Sequence, residues 1–442
     1  MKILQVLNAF PSVQPGAPAW AAPGIVELHA LHLAHAFAKR KHASTALVAR
    51  NDPARPEGAL SEVQHEGVRV LERVTHQDYP DARASWIDPR ADHDFAGVLE
   101  REDPDVVHFH HLAGWGPRCI AIAREHGACV VATLHDVHAL CDRGTLLRAD
   151  GEACAKLGAD CAECLGHLPL VPPADGGERV ERLRAKQAER REHFRRALAQ
   201  VNVVVVPSRF LARTFAQAGF LDGVLVEILS AGTHGVLHKP RVRKGGRLRL
   251  GVLGDLGPAS GASVLAGALR LLARAPVELH VHGAAAPPPA LADAFAGLPV
   301  VFHGRFDPRA TDAACAGFDV LVVPSTGFEN RLGAIQDAFR CGLPVVASDH
   351  AGHSELVQDG IHGLLFPRGD AAGLARSIQG LLGDPGLYNR LARDRPPLAS
   401  VDAIAARIEG AYTRFARAAR PAHSTPTTPT TQRGAAPHDT LP

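Results

Sequence analysis

The sequence predicts an α/β protein of two doubly wound, Rossmann-like lobes, each a parallel sheet covered by helices on both faces. Three observations predict it. Apolar runs of strand length alternate with longer amphipathic patterns along most of the chain. Those runs lack an alternating polar face, as Val203-Val204-Val205-Val206 shows, and such strands belong to sheets buried on both sides. The alternation also stops at a basic, glycine-rich break and then starts again, which implies two β/α units facing a cleft. With 442 residues the chain has room for two or three domains of about 150 residues.

In the first unit, residues 1–235, strands are expected at Ile3–Leu7, Thr45–Ala49, Val68–Leu71, Val106–Phe109, Val130–Leu134 and Val203–Val206. Helical spacing appears at Val26–Ala38 and Glu189–Leu198. Residues 236–247, with Pro240 and Gly245-Gly246, read as a linker. The second unit, residues 248–402, repeats the pattern. Its strands are expected at Leu248–Leu253, Val277–His282, Val300–His303, Val320–Val323, Val345–Ala347 and Leu364–Phe366. Its helices are expected at Ser263–Ala273, Leu332–Arg340 and Ala372–Leu382. A last helix, within residues 403–420, is expected to return to the first domain. The Thr/Pro-rich stretch 421–442 has too little apolar surface to offset its ordering entropy and is expected to be disordered.

Composition narrows the function. Apolar types make up 46% and charged types 21%, ordinary for a globular chain. Forty-eight Lys and Arg against 46 Asp and Glu leave a formal charge of +2, so no dominant basic field points to nucleic acid. No apolar stretch approaches the roughly 18 residues of a membrane span. The apolar start of the chain is short and broken by Asn8, Pro11 and Gln14, which reads as a buried strand rather than a leader. Cytoplasmic residence is therefore expected, with the eight cysteines as thiols or metal ligands.

The stretch that carries chemistry is Val322-Val323-Pro324-Ser325-Thr326-Gly327-Phe328-Glu329-Asn330-Arg331-Leu332-Gly333-Ala334-Ile335-Gln336-Asp337. A buried strand enters a short loop, and a helix begins near Leu332, where free amides and the helix dipole favour a phosphate. Glu329 precedes that helix, and Asp337 lies two turns into it. Eight helical residues rise roughly 12 Å, about the reach of a nucleotide sugar from hexose to ribose. Two carboxylates flanking a diphosphate on helix amides suit such a donor. Ordinary surface acids on a helix are the alternative that spacing alone leaves open.

This stretch resembles the signature of family 4 glycosyltransferases, retaining enzymes of the GT-B architecture with two glutamates separated by seven residues, the second of which is Asp337 here. The resemblance continues through Cys341-Gly342-Leu343-Pro344-Val345-Val346-Ala347-Ser348, Gly352, Glu355-Leu356-Val357 and Asp359-Gly360. In the first half it includes Pro207-Ser208-Arg209-Phe210-Leu211, Thr133-Leu134-His135-Asp136 and the turn Pro23-Gly24-Ile25-Val26-Glu27. It implies that Glu329 binds hydroxyls of the donor sugar and Asp337 the ribose. It implies too that His135 hydrogen-bonds the transferred sugar rather than a metal, and that Gly24 lets the backbone approach the diphosphate. No catalytic cofactor is expected. In such enzymes the leaving phosphate is thought to assist deprotonation of the acceptor, so the protein positions the reactants and neutralises charge.

The sequence departs from the pattern at the loop Gly254-Asp255-Leu256-Gly257-Pro258-Ala259-Ser260-Gly261. Asp255 stands where the family carries an arginine, and Ser260 where it carries a lysine. Arg331 is the candidate replacement cation beside the amides near Leu332. The expected activity is transfer from a UDP- or GDP-sugar to a glycan or lipid-linked acceptor. A degraded member that binds sugar nucleotides or serves as a scaffold is the alternative, and an epimerase of the same fold fits the motifs less well.

Cys141, Cys154, Cys161 and Cys164 fall within a loop-like insert, residues 141–166, and their spacing allows a structural zinc site of four thiolates beside the alternative of reduced thiols. His108-Phe109-His110-His111 reads as satisfied strand-end histidines rather than ligands, and the 25 histidines show no sequence cluster that argues a catalytic metal. Glu178–Arg196 carries eight Lys/Arg against four Glu, which suits either peripheral contact with anionic lipid or a solvated helix with internal ion pairs.

Overall fold

The computed structural model describes residues 1–8, 24–76, 83–148, 154, 161, 164, 176–254, 256–283, 286–287, 289–305, 307–328 and 332–419. The stretch 421–442 lies outside the described residues.

The first lobe begins β1 Lys2–Leu7, α1 Ile25–Lys39, β2 Ala43–Asn51, β3 Leu60–His65, β4 Val68–Thr75 and α2 Pro89–Glu102. It continues β5 Val106–Phe109, α3 Arg118–Glu125, β6 Cys129–Thr133, α4 Gly176–Leu198, β7 Val203–Val206, α5 Arg209–Gln217 and β8 Leu225–Ile228. Its strands form one sheet in the order β3-β4-β2-β1-β5-β6-β7-β8. Every pairing is parallel except that of β3 on β4.

The second lobe runs β9 Leu248–Leu253, α6 Ala262–Leu271, β10 Val277–His282, α7 Ala292–Phe295, β11 Val300–Phe302, α8 Thr311–Ala316 and β12 Val320–Val323. It ends α9 Leu332–Arg340, β13 Val345–Asp349, α10 His353–Leu356, β14 Gly363–Pro367, α11 Ala371–Gly383 and α12 Pro385–Arg393. Its sheet is wholly parallel, in the order β11-β10-β9-β12-β13-β14. Both sheets therefore reverse their winding beside the first strand of the lobe, the position at which open α/β sheets bind ligands.

Two long cores follow from the unalternated strands. Val107, Val130 and Val204 pack with Phe95, Trp115 and Phe194 in the first lobe. Leu250, Val320 and Val346 pack with Leu265, Phe366 and Leu374 in the second. The last helix, α13 Val401–Ala419, leaves the second lobe and buries Ile404, Ile408 and Tyr412 against Ile3, Phe37 and Val131 of the first. The two crossings run side by side: Thr233 donates to Ala399, and Val401 donates back to Thr233. Gly232, at φ +77°, lets them touch, since a Cβ there would lie 2.9 Å from the Val401 nitrogen.

The basic stretch expected as a membrane or solvent helix is α4. Arg184 pairs with Glu181, Arg195 and Arg196 pair with Glu192, and buried Arg190 pairs with Asp142 while lying over the Phe194 ring. Among the described residues no helix is long and apolar enough to cross a membrane.

Tyr412 donates a buried hydrogen bond to, or accepts one from, His108 Nδ1 at 2.6 Å. Tyr412→Phe strands that nitrogen, so urea unfolding should show a loss of about 1–3 kcal/mol.

Candidate functional site between the lobes

The ends of β9, β10 and β11 meet without side chains between them. The Gly254 amide donates to His282, and the Gly283 amide donates to Gly304. A Cβ on Gly283, at φ +139°, would lie 2.4 Å from the Gly254 carbonyl carbon. The following loop folds onto the segment after β12: Thr326 and Gly327 both donate to the Ala259 carbonyl at 2.9 Å. Gly261 lies so close to Pro324 that a Cβ would stand 1.8 Å from its carbonyl oxygen. Two backbone loops are thereby fused beneath the start of α9.

Above them lies a cavity of about 490 Å³. The second lobe contributes Gly254, Gly333, Ala334 and Asp337, and the first contributes His29 and His32 from α1. The structure thus brings Asp337 and Gly254 to one space. Asp337 is aimed by Arg340, one turn on, whose Nε approaches its Oδ1 at 3.4 Å. Arg340 also bonds Asp312 and the Val236 carbonyl, tying the carboxylate to the linker. Burial pushes the Asp337 carboxyl up to about 6, against the pull of Arg340.

The other expected residues fall as follows. Glu329, Arg331 and Asp255 lie outside the described residues. The Leu332 side chain is buried, within reach of a Cβ placed on Gly352, so it packs the core and leaves its amide as the only group to offer a ligand. Ser260 is 4% exposed, and its Oγ accepts the Gly257 amide at 3.3 Å, which holds the turn. Gly24 caps α1 in extended conformation; a Cβ there would meet the Glu27 carboxylate at 2.4 Å.

His135 follows β6 beside a second, smaller hollow that His110 also lines. Its Nε2 lies 3.2 Å from His110 Nδ1, and its ring centroid is 5.2 Å from that of His29. Burial holds the His135 imidazole well below its usual range and brings His29 down to about 4, so both are neutral at physiological pH. His108, His110 and His135 are therefore neighbours in a continuous row of rings, which spacing along the chain does not reveal.

The four cysteines of the insert are half-buried. Cys141 and Cys154 pack against the apolar core of the first lobe, where thiols behave as small hydrophobes. Among the described residues, the sets whose ligand atoms converge within 4.8 Å are His29 with His110 and His135, and His238 with Asp312 and Cys341.

Glu355 has a role that the motif alone does not disclose. Its carboxylate reaches across to the first lobe and accepts the amides of Arg209 and Phe210 at 2.7 and 2.5 Å. Ser208 takes the Leu211 amide, so three free donors at the start of α5 are satisfied, two of them from the other lobe. Phe328 stacks on Phe210 at 5.3 Å, and its amide donates to Thr145 of the insert. The segment leading to Glu329 is thus held by the first lobe.

Two doubly wound lobes whose strand ends face one another across a ligand-sized cavity define the GT-B architecture. The sucrose-phosphate synthase of Thermosynechococcus elongatus has this fold and superposes with a TM-score of 0.67 at 17% identity, covering 94% of this chain and 99% of that one. HepE of Anabaena, solved with UDP and glucose, superposes at 0.53 and 17% identity over 95% of this chain and 99% of its own.

The chain belongs to family 4 of the glycosyltransferases. Residues 26–225 match the family described as Glycosyltransferase Family 4, and residues 247–384 match Glycosyl transferases group 1. A D-inositol 3-phosphate glycosyltransferase of Thermobispora bispora is 28% identical over 279 residues, 56% of this chain and 65% of the relative's length.

The Asp337 carboxyl changes charge near pH 6, so calorimetric titration with UDP and GDP should separate the wild type from Asp337→Asn. A hydrogen bond to a charged group contributes about 1.5–3 kcal/mol, so wild-type binding should be roughly ten- to hundredfold tighter at pH 8. That advantage should vanish at pH 5, where the carboxyl is protonated.

Proposed function

We propose that the protein transfers a sugar from a UDP- or GDP-sugar to a hydroxyl of a glycan or lipid-linked acceptor, with retention of configuration. The observation that carries this reading is the interlobe cavity, in which Asp337 of α9 and Gly254, just after β9, border one space of about 490 Å³. An aimed carboxylate accepts paired ribose hydroxyls, and bare strand ends admit a nucleotide backbone closely. The complex of HepE with UDP and glucose supports a nucleotide donor.

In this reading Asp337 holds the ribose, and Glu329 holds hydroxyls of the donor sugar. His135, an imidazole that burial holds uncharged, hydrogen-bonds the transferred sugar. The departing diphosphate lies against the amides at the start of α9, with Arg331 supplying the charge that Asp255 and Ser260 do not. The protein's contribution is orientation and charge stabilisation, while the leaving phosphate takes the acceptor proton. The relative from Thermobispora bispora, named for D-inositol 3-phosphate, points to a phosphorylated polyol as one acceptor to test.

Donor turnover against a panel of UDP- and GDP-sugars, with inositol phosphate and glycan acceptors, tests this. Glu329→Ala should abolish turnover, and Arg331→Ala should lower kcat by about 10²–10³, the scale of losing one donor that stabilises transition-state charge. Tight nucleotide binding with no turnover of any donor would instead identify a binding or scaffold protein.

A further inference from the structure

We propose that His29, His110 and His135 form a binding site for one divalent transition-metal ion of the zinc type at the edge of the interlobe cavity. One nitrogen from each residue lies within 4.8 Å of the other two. The three come from separate elements, α1 and the segments after β5 and β6, so neither local spacing nor a single turn creates the cluster.

The hydrogen bonds around the cluster fix which nitrogens carry protons. Gln5 donates from Nε2 to the Ala30 carbonyl at 3.2 Å and to Ser44 Oγ at 2.9 Å. Its Oε1 therefore faces His110 Nε2, 3.0 Å away. An amide oxygen only accepts, so the His110 proton sits on Nε2 and Nδ1 presents a lone pair. His29 is 6% exposed and bonds the Ala231 backbone, while its Nδ1 is buried without a hydrogen-bond partner. Each of these two imidazoles thus has one nitrogen engaged by a surrounding oxygen, and His110 turns its other nitrogen, Nδ1, toward His135. That is how metal-binding histidines are oriented by their surroundings.

The spacing agrees with a shared ion. Zinc–nitrogen bonds of about 2.0–2.1 Å in a tetrahedron place neighbouring nitrogens about 3.3–3.4 Å apart. His110 Nδ1 and His135 Nε2 are 3.2 Å apart. Without an ion, a hydrogen bond spans that contact; a tautomer shift of His135 exchanges it for metal bonds. His108 is not a ligand, because both its nitrogens are engaged by Tyr412 and Thr133. It stacks on His110 at 4.1 Å and holds that ring in place.

Imidazole ligands without carboxylates select zinc, copper or nickel over magnesium and calcium. Three neutral ligands leave the ion's double charge uncancelled and a fourth position for a water or ligand oxygen. His29 also lines the cavity with Asp337, so this charge borders the space assigned above to the donor.

The test uses the full chain stripped of metal by a chelator, then titrated with Zn²⁺ against a chromophoric indicator and with Co²⁺ by absorption. One ion per chain is expected, with visible cobalt bands and no intense near-ultraviolet thiolate-to-cobalt transition. His29→Gln and His110→Gln should weaken binding at least 100-fold, and Gln5→Met, which removes no ligand, about 10- to 100-fold. Circular dichroism identifies any variant that fails to fold, and His135→Gln then serves in its place. Absence of binding, unchanged affinity in folded His29→Gln, or a thiolate transition abolished by Cys161→Ser would overturn the site. Binding is read with the metal alone, so its failure leaves the transfer reading intact, and a chain that binds zinc but turns over no donor leaves the site standing.

Discussion

Parallel strands all finish at the same edge of a sheet, and in this protein both sheets present that edge to one another. The site depends on this constraint. It places the Gly254 turn and the start of α9 around the larger cavity and the segments after β5 and β6 at the smaller hollow, with His29 between them, although these pieces are scattered over more than two hundred residues. The paired crossings at Thr233 and Val401 keep the edges opposed, with Arg340 tying the linker carbonyl of Val236 to the acid it orients. The Glu355 carboxylate adds a charge-assisted contact from one lobe to the helix start of the other.

The polar groups between the lobes are arranged against the cost of burial. Asp337 and the three histidines are all shifted toward their neutral forms, because water has been removed from around them. Arg340 offsets part of that effect for Asp337, and Asp312 in turn is held down to about 2, mainly by Arg340. The cation that orients the acid is therefore itself balanced by a second acid.

Much of the fold could be read from the chain because the buried parallel strands are plain apolar runs. Val106–Phe109, Val203–Val206 and Val320–Val323 need no partner information to be recognised. β3 escapes because it is an exposed edge strand of mixed polarity, Leu60-Ser61-Glu62-Val63-Gln64-His65. β4 extends beyond Leu71 because Arg73, only 1% exposed, is matched by Asp94 and Glu57, a pairing made in three dimensions. In the cavity lining, Asp337 is singled out by its spacing from Glu329, and Gly254 only by the family resemblance of its loop. His29 and His110 are singled out by neither, since their meaning rests on which nitrogen Gln5 and Ala231 engage. The three-residue spacing of His29, His32 and His35 along α1 was the available signal that one helix face carries imidazoles toward the cavity.

The hydrogen bond between Tyr412 and His108 spans 304 residues of sequence. Strands β1 to β8 leave the ribosome long before α13 does, yet Ile3, Val131 and the row of rings behind His110 stay uncovered until that final helix arrives. The lobe made first is thus the last to be completed during synthesis, and it waits on the whole of its partner.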